Sequence, residues 1–138
     1  MQSLDRFLKA QASSYDAALR EICAGRKRSH WIWYIFPQIQ GLGFSSTAQF
    51  YAIADMEEAR AYLSEPTLRA RLLEISEALL TLDSNDPTQV MGYPDDLKLR
   101  SSMTLFAEAE PECEVFQKVL DKYYGGRKDE STLAILSR

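Results

Sequence analysis

In the stretch "EPTLRARLLEISEALLTL", Leu68, Leu72, Ile75, Leu79 and Leu82 fall at alternating intervals of four and three. That interval is the repeat of a single buried stripe on an α-helix, and Pro66 at its head suits a first helical turn. The same period governs most of the chain. Leu4, Phe7, Leu8, Tyr15, Leu19, Ile22 and Cys23 form one stripe that stops near Gly25. "DMEEARAYLSE" begins with an N-capping Asp55 and places Glu57 and Glu58 against the positive end of the helix dipole. The segment "SNDPTQVMGYPDD" is a loop with at most one helical turn. Leu97, Met103, Leu105 and Phe106 define a further helix whose core side is set by Leu97, Leu105 and Phe106. Pro111 opens another, with Val115, Phe116, Val119, Leu120 and Tyr123 inward and Gly125 and Gly126 as its stop. "DESTLAILSR" reads as a short capped helix. No alternating run, repeat or low-complexity linker interrupts the pattern. The expectation is all-α, one compact domain over residues 1–138 with six to eight helices.

Composition narrows the function classes. With 16 Lys and Arg against 20 Asp and Glu, the formal charge is -4, which argues against a general nucleic-acid binder. No segment approaches the roughly 20 apolar residues of a membrane span, and no leader pattern opens the chain. A cytoplasmic location is the resulting expectation, with no membrane partner. Cys23 and Cys113, both in apolar helical patterns, are expected to be buried thiols in a reducing compartment. One histidine and two distant cysteines make no metal site, and no cofactor motif is present. Oligomeric state is not legible.

Two polar clusters stand out against this background. "GRKRSHWIWYIFPQIQGLG" sits within residues 22–54, which hold no Asp or Glu but carry Arg26, Lys27 and Arg28. The remainder of the chain has 13 cations against 20 acids, so a local +3 stands against -7 elsewhere. Trp31, Trp33, Ile35 and Phe36 are expected to be mostly core, yet packing gives no reason for the adjoining cations. "WIWYIF" also has strand propensity, and its surroundings favour helix. His30 is a candidate acid-base group, set against the commoner role of an ordinary hydrogen-bonded histidine. The "GLG" of Gly41 to Gly43 reads as a tight turn, and Ser45 and Ser46 as caps of the helix that follows. In "DDLKLRSSMTLF", Lys98, Ser101 and Ser102 share a helical face, as a pocket wall or as helix-to-helix hydrogen bonds would require. Asp95 is either a cap or first-turn residue of that helix, or an acid-base group.

These two stretches, "GRKRSHWIWYIFPQIQGLGFSSTAQFYAI" and "DDLKLRSSMTLF", closely resemble the family called domain of unknown function 1810, over nearly the entire chain. Its pattern falls on Gly25, Lys27, His30, Trp31, Trp33, Phe36, Pro37, Gln38, Gly41 and Gly43, then on Asp95, Lys98, Ser101, Ser102, Thr104 and Phe106. The resemblance implies a mainly helical single domain with no established activity to carry over. The calpastatin label sometimes attached to the family has no support in a packed globular pattern. A fainter similarity to NADAR-type ADP-ribosyl glycohydrolases transfers no residues. It suggests what cations, stacked rings and hydroxyls jointly hold: phosphate, a planar base and a ribose. The leading expectation is therefore a small-ligand protein or enzyme with an anion- or nucleotide-like pocket, ADP-ribose-like ligands included. His30 or Asp95 would act in any chemistry. Lys27 and Lys98 would contact the anion, Trp31 or Trp33 the planar group, and Gln38, Ser101 and Ser102 would add hydrogen bonds. The competing class is a non-enzymatic module that docks an acidic peptide or nucleic acid on an aromatic and basic patch.

Overall fold

Ten of the fifteen residues of one helix, Asp95–Ala109, are buried, and the rest of the molecule is arranged around that helix. The computed structural model describes residues 3–138, in which nine helices follow one another. They are α1 (Asp5–Cys23), α2 (Ile32–Ile35), α3 (Ser46–Tyr51), α4 (Met56–Ser64), α5 (Pro66–Leu80), α6 (Pro87–Met91), α7 (Asp95–Ala109), α8 (Glu114–Tyr124) and α9 (Glu130–Leu136). No strand forms among the described residues, apart from an isolated bridge between Ile39 and Ile53. The helix count exceeds the expected six to eight because α2, α3 and α6 are each only four to six residues long, too short to show a period.

Side-chain caps explain where α3, α4, α5, α6 and α9 begin. Asp55 accepts from the Glu58 N–H, Glu65 from Leu68, Asp86 from Thr88 and Asp129 from Thr132, each satisfying an otherwise unpaired donor of the first turn. Ser45 does the same for α3 through the Ala48 N–H. Helix α8 starts at Glu114 and not at Pro111, which lies in the preceding turn, because Cys113 takes the extended N-cap conformation. Gly125 ends α8 in the left-handed region, at a φ of 64°.

Helix α7 packs against α2, α4, α6, α8 and α9, while α1, α5 and α8 form the opposing layer. Aromatic rings join the layers. Phe7 meets Tyr62 edge-on at 5.1 Å, Tyr62 meets Phe106 at 5.3 Å, and Phe106 meets Phe116 at 5.8 Å, linking α1, α4, α7 and α8. A buried ion pair secures the other side. Arg6 of α1 reaches Glu58 of α4 at 3.2 Å and also donates to the carbonyls of Phe50 and Ala52, which fixes the chain between α3 and α4.

Three burial expectations need correction. Cys23 is exposed and Cys113 half-buried, both as free thiols. Ile22 takes the inward position at the end of α1, and the next residue turns about 100° away from it. Leu97 is 50% exposed, whereas Leu99 is fully buried, so the inward face of α7 is set by Leu99, Met103 and Phe106.

Candidate functional site

The cationic loop after α1 is shaped by an acid that lies just outside the acid-free segment. Glu21 accepts from the N–H groups of Arg28 and Ser29, from the Ser29 hydroxyl and from the Trp31 indole at 3.0 Å. Partial burial alone would raise its carboxyl pKa, but these donors together pull it down to about 2. The clamp turns Trp31 into the core, where it is 1% exposed, and returns the Lys27 side chain toward α7. The Lys27 N–H meanwhile bonds to the Val90 carbonyl at 2.7 Å, which ties the loop to α6.

Across the gap, Asp95 stands in the first turn of α7 and makes no cap bond to its own helix. One of its oxygens lies 2.8 Å from the Lys27 ammonium and the other 3.7 Å from that of Lys98. Each lysine also rests on a tryptophan: Lys27 on Trp31 at 4.9 Å and Lys98 on Trp33 at 5.4 Å from the ring centroid. The two sequence clusters thus meet in a Trp31–Lys27–Asp95–Lys98–Trp33 series. Within it, Lys27 is 6% exposed and fully engaged, while Lys98 is 29% exposed and has the longer ionic contact. Two cations share one carboxylate, so the group is left with a net positive charge concentrated on Lys98.

Beside Lys98 opens a hollow of about 440 Å³, walled by Gln38, the Leu42–Ser45 turn and Ala48 on one side and by Pro94, Leu97 and Ser101 on the other. Asp129 and Ser131 close its far end. Phe44, 85% exposed, and Leu97 give it an apolar rim. The turn explains its glycines. Gly41 has a φ of +108°, and a Cβ on Gly43 would sit 2.6 Å from the Ala48 Cβ, so a side chain there would push α3 away. Asp129 keeps its negative charge at that end, with no ion-pair partner among the described residues, and its Oδ2 accepts from the Ser101 hydroxyl and from both the N–H and the hydroxyl of Thr132.

The remaining candidates are dispersed. His30 is exposed and lines neither this hollow nor the one beside Lys27. Ser102 is fully buried and its hydroxyl has no partner, whereas Ser101 reaches the hollow. Lys27 lines a separate hollow with Gly25, Arg26, Thr88, Gln89 and Gly92. Among the described residues no group of three or more His, Cys, Asp or Glu is arranged to hold a metal ion, and no helix is long and apolar enough to cross a membrane.

The family model described as Protein of unknown function (DUF1810) matches residues 1–136. The chain belongs to this family. It is also similar to a solved structure, that of the conserved hypothetical protein Rv1873 from Mycobacterium tuberculosis. The two are 46% identical, with a TM-score of 0.96 over 98% of this chain and 96% of that one. No curated protein matches. Membership in DUF1810 thus agrees with the helical fold and supplies no activity. Phe44, Leu97, Asp129 and Ser131 escaped the sequence reading as wall residues of this DUF1810 chain. Phe44 had a local signal, as a large apolar residue in a turn between glycine and serine. Asp129 and Ser131 had none, because only tertiary packing brings the start of α9 to α7.

Proposed function

We propose that the hollow beside Lys98 binds a small anionic ligand with a planar group, of nucleotide type, and that the protein acts as a binding module at this position. One observation carries the reading: Lys98 is a partly exposed ammonium, underneutralised because Asp95 gives its nearer contact to Lys27, at the edge of a concave wall with an apolar rim. Such a wall suits a ligand whose anionic end meets Lys98 while its ring covers Phe44 and Leu97. Gln38, Ser45 and Ser101 offer polar groups of the kind that orient a sugar. Binding is favoured over catalysis because His30 is outside the hollow and both Asp95 oxygens face ammonium groups.

Titration calorimetry with AMP, ADP-ribose and inorganic phosphate tests the proposal. Replacing Lys98 by Ala removes a charge-assisted contact of about 1.5–3 kcal/mol, so the nucleotide should bind roughly tenfold more weakly or worse, in a variant whose helical spectrum is unchanged. Absence of binding by the wild type, or equal affinity in Lys98→Ala, overturns the reading. Capture of an acidic peptide in place of all three would replace it with the docking module.

A further inference from the structure

A second hollow, of about 470 Å³, has Lys27 in its wall and lies between the turn after α1 and helix α6. Gly25 and Gly92 form part of its wall with positive φ, and neither has any atom within 4 Å of where a Cβ would be, so bare backbone faces the opening. Arg26 is exposed on its edge and takes part in none of the six ion pairs among the described residues. Gln89 uses its Oε1 to accept from Ser84, which leaves its amide N–H groups available.

The nearby carboxylates are all engaged. Asp86 accepts from the N–H groups of Thr88 and Gln89, Asp96 from the Thr88 hydroxyl and the Leu97 N–H, and Asp95 is held by the two lysines. Asp86 and Asp96 stay charged, but no carboxylate is among the residues that line the hollow, which presents the Gln89 amide and the unpaired Arg26 guanidinium, the chemistry of a phosphate subsite. Between the two hollows runs a single residue. Gly92 belongs to the second hollow and Pro94 to the first, and Tyr93 between them is 76% exposed. Its ring pairs with no other aromatic ring among the described residues.

Resting on the nucleotide reading of the Lys98 hollow, we infer that both hollows are halves of one site and that its ligand is a dinucleotide. Its terminal phosphate meets Arg26 and Gln89, the first base stacks on Tyr93, the linking phosphate meets Lys98 and the second base covers Phe44. The contacts inferred in this way, Arg26, Tyr93, Lys98 and Phe44, match in type the order phosphate, base, phosphate, base of a 5′-phosphorylated dinucleotide. A mononucleotide fills only half of it. The chemistry is shared by a free dinucleotide and by two units of a single-stranded nucleic acid. The overall charge of -4 favours the free molecule, since a longer strand would extend past the cations onto an acidic surface.

The test is calorimetry of the full chain with 5′-phosphorylated diadenylate, AMP and a single-stranded oligoadenylate of eight units. The dinucleotide should bind about tenfold or more tightly than AMP, from the added charge-assisted contact and stacked base. Arg26→Ala and Tyr93→Ala, both at exposed positions, should each remove about fivefold or more from dinucleotide affinity and leave AMP affinity unchanged. Lys98→Ala should weaken both ligands. Equal affinities for the dinucleotide and AMP, or silent Arg26 and Tyr93 variants, overturn the two-subsite inference while Lys98-dependent AMP binding keeps the proposed function. If no nucleotide binds, both fall. An octamer that gains no more than its extra registers supply supports the free dinucleotide, and a larger gain overturns that assignment in favour of a nucleic-acid strand.

Discussion

Glu21 illustrates how one side chain outside a motif can set the motif's conformation. Its four accepted hydrogen bonds close the Lys27–Trp31 loop, and they are strongest when the carboxyl is ionised. Its ordinary pKa of 4.5 falls to about 2 in the folded protein, so the clamp stabilises the fold fully above about pH 4.5. That contribution is lost as the pH falls from 4.5 through 2. Glu21→Gln should cost about 1–2 kcal/mol at pH 7, a figure that allows for solvent screening of a partly exposed group. Urea unfolding at pH 7 and at pH 3 should show the gap between variant and wild type shrinking at the lower pH; a gap that is constant would refute the ionic clamp. Ser102 gives the opposite case. Its buried hydroxyl has no partner, so Ser102→Ala should leave stability unchanged or raise it slightly, and a loss of more than about 1 kcal/mol in the same unfolding assay would mean the hydroxyl is bonded after all.

Among the elements, α3 has no buried residue of its own and depends on what holds its ends. Its start is capped by Ser45, and its end is held where Arg6 takes the carbonyl of Phe50 and, just beyond, that of Ala52. Arg6→Ala would strand the buried Glu58 carboxylate and should cost about 3–5 kcal/mol, measured by chemical denaturation. Because α3 walls the Lys98 hollow through Ala48, the same variant should also weaken any ligand bound there. A loss below about 1 kcal/mol would show that the pair contributes little. The elements differ in how much of this was written locally. Helices α1, α5, α7 and α8 announced themselves through apolar positions at helical spacing, and α4 and α9 through their caps. Asp55 and Ser45 also act as caps, as their positions indicate. The exposed Leu97 and Cys23 were misread because an apolar residue next to a stripe is indistinguishable from one within it until the partner helices are known.

At the scale of the whole molecule, the acid-free stretch and the hydroxyl-rich helix come together although about 70 residues separate them, and Asp95 is the bridge. The sequence marked both stretches and named Lys27, Lys98 and Asp95, but it held no sign that one carboxylate would join the two lysines or that they would face different hollows. Nor did it reveal that the start of α9 completes the wall, since that contact depends on the packing of α9 against α7. The central claim concerns a place, and a residue-resolved titration addresses it most directly. Amide chemical shifts followed by ¹H–¹⁵N nuclear magnetic resonance as AMP is added should move in the 38–48 turn, in residues 95–101 and around 129–131, and the Lys98→Ala variant should lose those changes at equal ligand concentration. Shifts confined instead to the separate groove of Tyr34, Phe50 and Tyr51, or no shifts at millimolar AMP, would contradict it.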